Sequence, residues 1–93
     1  LIQRLDTMED SDGNSVLHNS MIMFGSGNAD ANKHTHTDLP ILLAGSAGGG
    51  IQTGRYINHN GVPLANLYVK MSQLLGIDDV KQFGDSTGVL SDV

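Results

Sequence analysis

Most side chains in this sequence that could hold a metal ion or move a proton lie in one polar stretch, residues 28–40. Its candidates are Asp30, Asn32, His34, His36 and Asp38. Short apolar runs flank the stretch on both sides, and such runs predict strands. Loops between strands can converge polar groups on one point at a sheet edge. We therefore place the candidate site in this loop.

The loop has the donors of a hydrolytic metal centre. If Thr35 is extended, His34 and His36 share one strand face, because side chains two apart point the same way. Asp30 would complete a His/His/carboxylate set with an open position for water. We predict Asp30, His34 and His36 as ligands of a divalent metal (Zn²⁺, Ca²⁺ or Mg²⁺), with Asn32 as a cofactor-binding or substrate-orienting residue of the same site. The competing interpretation is an ordinary polar loop whose side chains satisfy its own backbone.

Other motifs carry weaker signals. The Gly48-Gly49-Gly50 run lacks the Lys-Ser/Thr of a P-loop and is interpreted as a flexible loop. Residues 10–14 have calcium-like oxygen spacing but no completing Glu, which favours a solvated turn. Ser26 lies outside a Gly-x-Ser-x-Gly frame and reads as a turn residue. Arg55 is a secondary candidate for binding an oxyanion, and the favoured interpretation is that it forms a surface ion pair. His59 is predicted to be an exposed turn residue.

Four elements are predicted to position the loop. Apolar residues at helical spacing predict a first helix that ends at the acidic turn. Residues 21–24 and 41–44 are apolar throughout, which is typical of buried strands covered on both faces. Residues 63–75 predict an amphipathic helix. The fold class is α/β.

Local turn signals complete the pattern. Gly76 is placed for a left-handed helix C-cap followed by Ile77, as in a Schellman motif. Residues 58–61 predict a turn, since Asn and Gly tolerate positive φ. The tail after residue 78 is predicted to be irregular and pinned by Phe83 and Leu90.

Length and charge limit the function classes. A chain of 93 residues makes one domain at most. Its net charge is -5 and it has no Lys/Arg cluster, so nucleic-acid binding is not expected. Cysteine is absent, so any metal site needs N and O ligands. No apolar run reaches the roughly 18 residues of a membrane span. The sequence begins inside an apolar pattern, and we expect it to be part of a longer chain.

The order of motifs resembles a family of bacterial exported proteins of unassigned function, named for a His-x-x-Ser-His-His motif in their upstream sequence. The resemblance covers nearly the whole chain. The residues that carry it are Gly25-Ser26-Gly27, Asp30, Asn32, His34, residues 36–45, residues 48–50, residues 63–67, Leu75-Gly76-Ile77 and residues 83–88.

This resemblance implies a C-terminal region, 1–93, of a larger domain that is exported to the periplasm or secreted. More remotely, the strand, Asp/His loop, His-Thr-x-x-Pro and helix order is similar to the last part of the alkaline phosphatase and sulfatase fold, where the loop supplies metal ligands. His36-Thr37 before Pro40 is the better-aligned element, so the resemblance implies His36 first, and Asp30 second, as the metal ligand or phosphate-contacting residue. In that superfamily Asp and His are adjacent, whereas Ala31 follows Asp30 here.

Two functions follow as expectations. The first is the C-terminal part of a metal-dependent phosphate- or sulfate-ester hydrolase, whose nucleophile and other ligands come from the remainder of the parent polypeptide or a partner chain. The second is a non-catalytic binding or structural module of the same fold in an envelope assembly. The departure at Ala31 favours the second.

Overall fold

The computed structural model describes residues 1–93 and contains two helices and one two-stranded antiparallel sheet. The elements are α1 (Ile2–Thr7), β1 (Ile22–Gly25), β2 (Ile41–Ala44), a single 3₁₀ turn (Ala47–Gly49) and α2 (Ala65–Leu74). The prediction of a mixed helix-and-sheet fold is confirmed at this level. The chain divides into two compact units, Leu1–Gly49 and Gly50–Val93, with the boundary inside the predicted glycine loop. Neither helix is long and apolar enough to cross a membrane.

In the first unit, α1 is short and ends where the sequence predicted. An isolated bridge between Glu9 and Ser15 closes the acidic turn that follows it. The turn tip is held by a backbone bond from Gly13 to the Asp10 carbonyl (3.0 Å). Gly13 has a φ of 84°, which a residue without Cβ adopts at little cost.

The two strands pair directly, with Ile22 opposite Ala44 and Gly25 opposite Ile41. The prediction that both strands are buried is wrong. Phe24 and Leu42 are paired on neighbouring strands, so their side chains lie on the same face of the sheet. These side chains remain 74% and 69% exposed. A run of apolar residues shows that burial would be favourable, but it does not supply the layer that covers the sheet. The Phe24 and Leu42 pair is therefore an exposed apolar patch, whereas Ile22 and Ala44 on the same face are half-buried.

Gly45 follows β2 directly and lies against the backbone of Ser20, just before β1. Gly45 is buried and has a φ of 89°. A Cβ built on it would overlap the Ser20 carbonyl group and lie 2.9 Å from the Leu17 carbonyl oxygen. The next turn is fixed by a bond from the Ala47 amide to the Ser20 carbonyl (3.0 Å). Only glycine allows the two backbones to approach this closely.

In the second unit, α2 confirms the predicted amphipathic helix, with bounds one or two residues inside the predicted ones. The most buried hydrophobic residues of the chain are Ile51, Ala65, Leu67 and Val69. Three of these four belong to α2, as its apolar spacing predicted.

The end of α2 is the predicted Schellman motif. Gly76 has a φ of 80°, and its amide donates to the Gln73 carbonyl (3.0 Å). The Ile77 amide donates to the Ser72 carbonyl (2.9 Å). These two bonds satisfy carbonyls that the last helical turn leaves without partners.

The irregular tail is attached to α2 by Asn66, a buried polar residue. Its Oδ1 accepts from the Thr87 amide (2.8 Å), and its Nδ2 donates to the Thr87 hydroxyl (3.2 Å). Its carbonyl accepts from the Leu90 amide (3.3 Å). Phe83 makes an edge-to-face contact with Tyr68 at a centroid distance of 6.0 Å. Phe83 and Leu90 thus help to hold the tail, as predicted, and Asn66 is the residue on which most of these bonds converge.

Candidate functional site

The candidate loop leaves β1 through a turn stabilised by Ser26. The Ser26 hydroxyl donates to the Asn28 carbonyl (2.8 Å) and accepts from the Asn28 amide (3.1 Å). Both capacities of the hydroxyl are used locally. Ser26 is therefore a turn residue, as its sequence context indicates.

Asp30 organises the middle of the loop. Its Oδ1 accepts from the backbone amides of Asn32 (3.0 Å) and Lys33 (3.2 Å). This is an Asx-turn, in which a side-chain oxygen replaces a backbone acceptor. Asp30 is partly buried and its second oxygen makes no hydrogen bond within the protein.

Thr35 closes the same turn from the other side. It forms an isolated antiparallel bridge with Asp30, in which the Thr35 amide donates to the Asp30 carbonyl (3.3 Å). The Thr35 hydroxyl accepts from the Asp30 amide (3.1 Å). The Thr35 carbonyl accepts from the Ala29 amide (2.9 Å). The polar stretch is thus a miniature hairpin with its own hydrogen bonds.

The two imidazoles have different surroundings. His34 has a φ of 54°, is exposed and makes no side-chain hydrogen bond. His36 is also exposed, and its Nδ1–H donates to the Gly27 carbonyl (2.8 Å). This bond fixes Nδ1 as the protonated nitrogen and leaves the lone pair on Nε2. Only His36 has a fixed ring orientation.

The structure does not gather the predicted ligands into a ready metal centre. No group of three His, Asp or Glu side chains in the chain has an arrangement that could hold a metal ion. Asp30, His34 and His36 therefore do not form the three-ligand set within these 93 residues. Asn32 and Asp38 are exposed, and the Asn32 side chain makes no hydrogen bond.

The calcium-like turn satisfies its carboxylates with amides. Asp12 accepts from the Asn14 backbone (3.0 Å), and these bonds lower its pKa below the ordinary value. The Asn19 side chain donates to Asp10 (3.0 Å) and to Asp12 (2.9 Å), and its bond is the main cause of the lowered pKa of Asp10. The arrangement agrees with the prediction of a structural turn.

The second unit contains a hydrogen-bonded His–Asp pair that the sequence did not indicate. The His59 Nε2 lies 3.0 and 2.9 Å from the two carboxylate oxygens of Asp92. The bond from His59 is the largest cause that holds the pKa of Asp92 below its ordinary value, and the nearby charge of Arg55 adds to it. The Arg55 guanidinium donates to the Asp92 carbonyl (2.7 Å) and to the Gln52 carbonyl (3.2 Å). Arg55 is therefore committed to the backbone.

The glycine run offers no phosphate cradle in its first part. The amides of Ala47, Gly48 and Gly49 donate to the carbonyls of Ser20 (3.0 Å), His18 (2.9 Å) and Ser46 (2.8 Å). Amides that already have partners cannot also bind a phosphate without losing those bonds. This agrees with the sequence interpretation of the run as a loop.

Three structurally important residues escaped the sequence analysis. Asn66 reads as one more polar helix residue, and Asp92 lies 33 residues from its partner His59. Gly45 appeared only within residues 36–45, which carry the family resemblance. A possible signal for Gly45 was its place directly after a strand, where a positive φ is often required.

Comparisons with protein-family models, curated proteins and solved structures find no match for this chain.

Proposed function

We propose that this chain is a non-catalytic binding or structural module, belonging to a larger exported α/β protein of the alkaline-phosphatase-like kind. The observation that supports this best is the Asp30 Asx-turn, which engages the one carboxylate of the predicted ligand set with backbone amides. The assignment to that fold and to the periplasm or exterior depends on the sequence resemblance. The partner is the remainder of the parent polypeptide or another chain.

The loop suits recognition because its backbone is organised while its polar tips are free. Asp30 and Thr35 hold the chain in a small hairpin through five short-range bonds. The side chains of Asn32 and His34 are exposed without hydrogen-bond partners. Binding then costs little backbone entropy, because that backbone is ordered in advance. The exposed apolar patch at Phe24 and Leu42 adds a second surface suited to a covering layer.

One observation favours the metal-dependent ester hydrolase as a second candidate. Metal-binding histidines commonly donate their other ring N–H to a carbonyl, which fixes the ring. The bond from His36 to Gly27 has this form and leaves Nε2 free. In a hydrolase, His36 and the free oxygen of Asp30 would be ligands, and the other donors would lie outside these residues. The metal would supply an activated water or alkoxide there.

A zinc titration of the parent polypeptide that contains these 93 residues, followed by NMR of the imidazole and backbone signals, separates the two candidates. The module proposal predicts no saturable 1:1 zinc complex and protected amides at Asn32 and Lys33. Saturable binding that is lost in both Asp30→Asn and His36→Gln, but kept in His18→Gln, would overturn the module proposal and support the hydrolase. Binding that is lost only in His36→Gln would leave the module proposal standing, because one histidine is not a site.

A further inference from the structure

The turn after His59 contains the only Asn-Gly pair in the sequence, Asn60-Gly61. Both residues are exposed, and they occupy the central positions of a turn. Gly61 has a φ of 69° and Asn60 does not have a positive φ, which is the combination found in type II turns. We propose that Asn60 is a site of spontaneous deamidation, in which the chain modifies itself without an enzyme.

The reaction needs a nucleophilic backbone nitrogen next to a side-chain amide. The Gly61 nitrogen loses its proton and attacks Cγ of Asn60, the Cγ–Nδ2 bond breaks, and ammonia leaves. The five-membered succinimide that forms is opened by water at either carbonyl. The products are aspartate or isoaspartate at position 60, and each adds one negative charge. Water is the only co-reactant, and ammonia is the only group that leaves.

The surroundings of Asn60 leave both reacting groups unhindered. The Asn60 side chain and the Gly61 amide make no hydrogen bond within the protein. A Cβ built on Gly61 would meet nothing within 4 Å, so the approach to the nitrogen is open. Glycine also gives the peptide the freedom to rotate toward Cγ.

The two Asn-Ser pairs of the chain, Asn14-Ser15 and Asn19-Ser20, are held differently. The Asn14 side chain donates to Asp12 (3.2 Å), and the Asn19 side chain donates to Asp10 and Asp12. The Ser20 amide, which would attack Asn19, donates to the Leu17 carbonyl (3.1 Å). These two Asn-Ser pairs form an internal control for the effect of hydrogen bonding.

Deamidation of Asn60 would alter the neighbouring contact between His59 and Asp92. A carboxylate at position 60 lies next to His59, whose Nε2 is bound by Asp92. Isoaspartate also adds one backbone carbon to the turn and displaces His59 from its present position. Modification of Asn60 is thus expected to loosen the attachment of the segment around Asp92.

The test is incubation of the full chain at mildly alkaline pH, followed by peptide mass spectrometry and isoaspartate-specific methylation. We expect the product to accumulate at Asn60 before Asn14 or Asn19, and to be lost in Asn60→Gln, whose longer side chain does not form the five-membered ring. Gly61→Ala should slow the reaction, and its folding is checked by circular dichroism. Modification that begins at any other asparagine, or an Asn60 that stays intact throughout the incubation, would overturn the proposal. So would equal rates in wild type and folded Gly61→Ala.

Discussion

Gly45 provides the sharpest test of the hairpin structure, through the substitution Gly45→Ala. An alanine there must adopt a φ near 89° and must place its methyl group against the Ser20 carbonyl. Gly13 is the matched control, since its φ is 84° and a Cβ there meets nothing within 4 Å. The two substitutions share the conformational cost and differ only in steric overlap.

The conformational part is about 1–2 kcal/mol for an L-residue in a left-handed conformation. The steric part is about 1–3 kcal/mol, which is typical when extra atoms are forced into a packed position. We therefore expect Gly13→Ala to lose only the first amount and Gly45→Ala to lose the sum. The difference between the two variants corresponds to about a 5- to 150-fold change in an equilibrium constant.

Amide hydrogen exchange of the β1 and β2 ladder, followed by NMR, measures this difference within the first unit. Ladder amides should exchange faster in Gly45→Ala than in Gly13→Ala by that factor. Complete loss of the ladder in Gly45→Ala alone would agree with the same reasoning. Equal exchange in the two variants would refute the close approach of Gly45 to Ser20.

Three further predictions concern single side chains. Asn66→Ala should lower the free energy of unfolding by about 2 kcal/mol, because it removes two partly buried hydrogen bonds, to the Thr87 amide and to the Thr87 hydroxyl, and urea unfolding measures this loss. The bond from His59 lowers the pKa of Asp92. This bond should therefore stabilise the folded protein at pH values above the ordinary pKa of Asp, and the stabilisation should be lost as the pH falls through the lowered pKa. The protection factors of nearby amides, which compare their exchange with that of an unstructured chain at the same pH, should thus fall below about pH 4 in wild type, and not in Asp92→Asn. Phe24→Ser should change stability by less than about 0.5 kcal/mol because this side chain is 74% exposed, and a loss of several kcal/mol would contradict that exposure.

Features set by neighbouring residues were predictable from the sequence. The helix α2 follows from apolar spacing, and its end follows from Gly76, because a left-handed residue with two short-range bonds completes a Schellman motif. The turn at Gly61 follows from the same tolerance of positive φ. Each of these depends on residues within a few positions.

Features set by distant partners were not predictable in the same way. Asn66 meets Thr87 across 21 residues, and His59 meets Asp92 across 33. No local pattern encodes which polar groups will meet after folding. Exposure of Phe24 depends on whether a covering layer exists, and four apolar residues in a row do not contain that information.

The candidate site shows the same division. The residue types in the loop pointed to ligands, and their spacing left an ordinary polar loop as the competing interpretation. Asp30 makes the Asx-turn of that second interpretation, because backbone amides two and three residues ahead are the nearest donors. The role of His36 depends on Gly27, a carbonyl nine residues away.

A sheet of only two strands has no interior member, so β1 and β2 each carry a row of peptide groups that no third strand engages. Next to an apolar patch, such rims are templates for lateral addition of another extended chain. Concentrated solutions of this protein should therefore form intermolecular β-structure, and a charged residue at position 24 or 42 should suppress it.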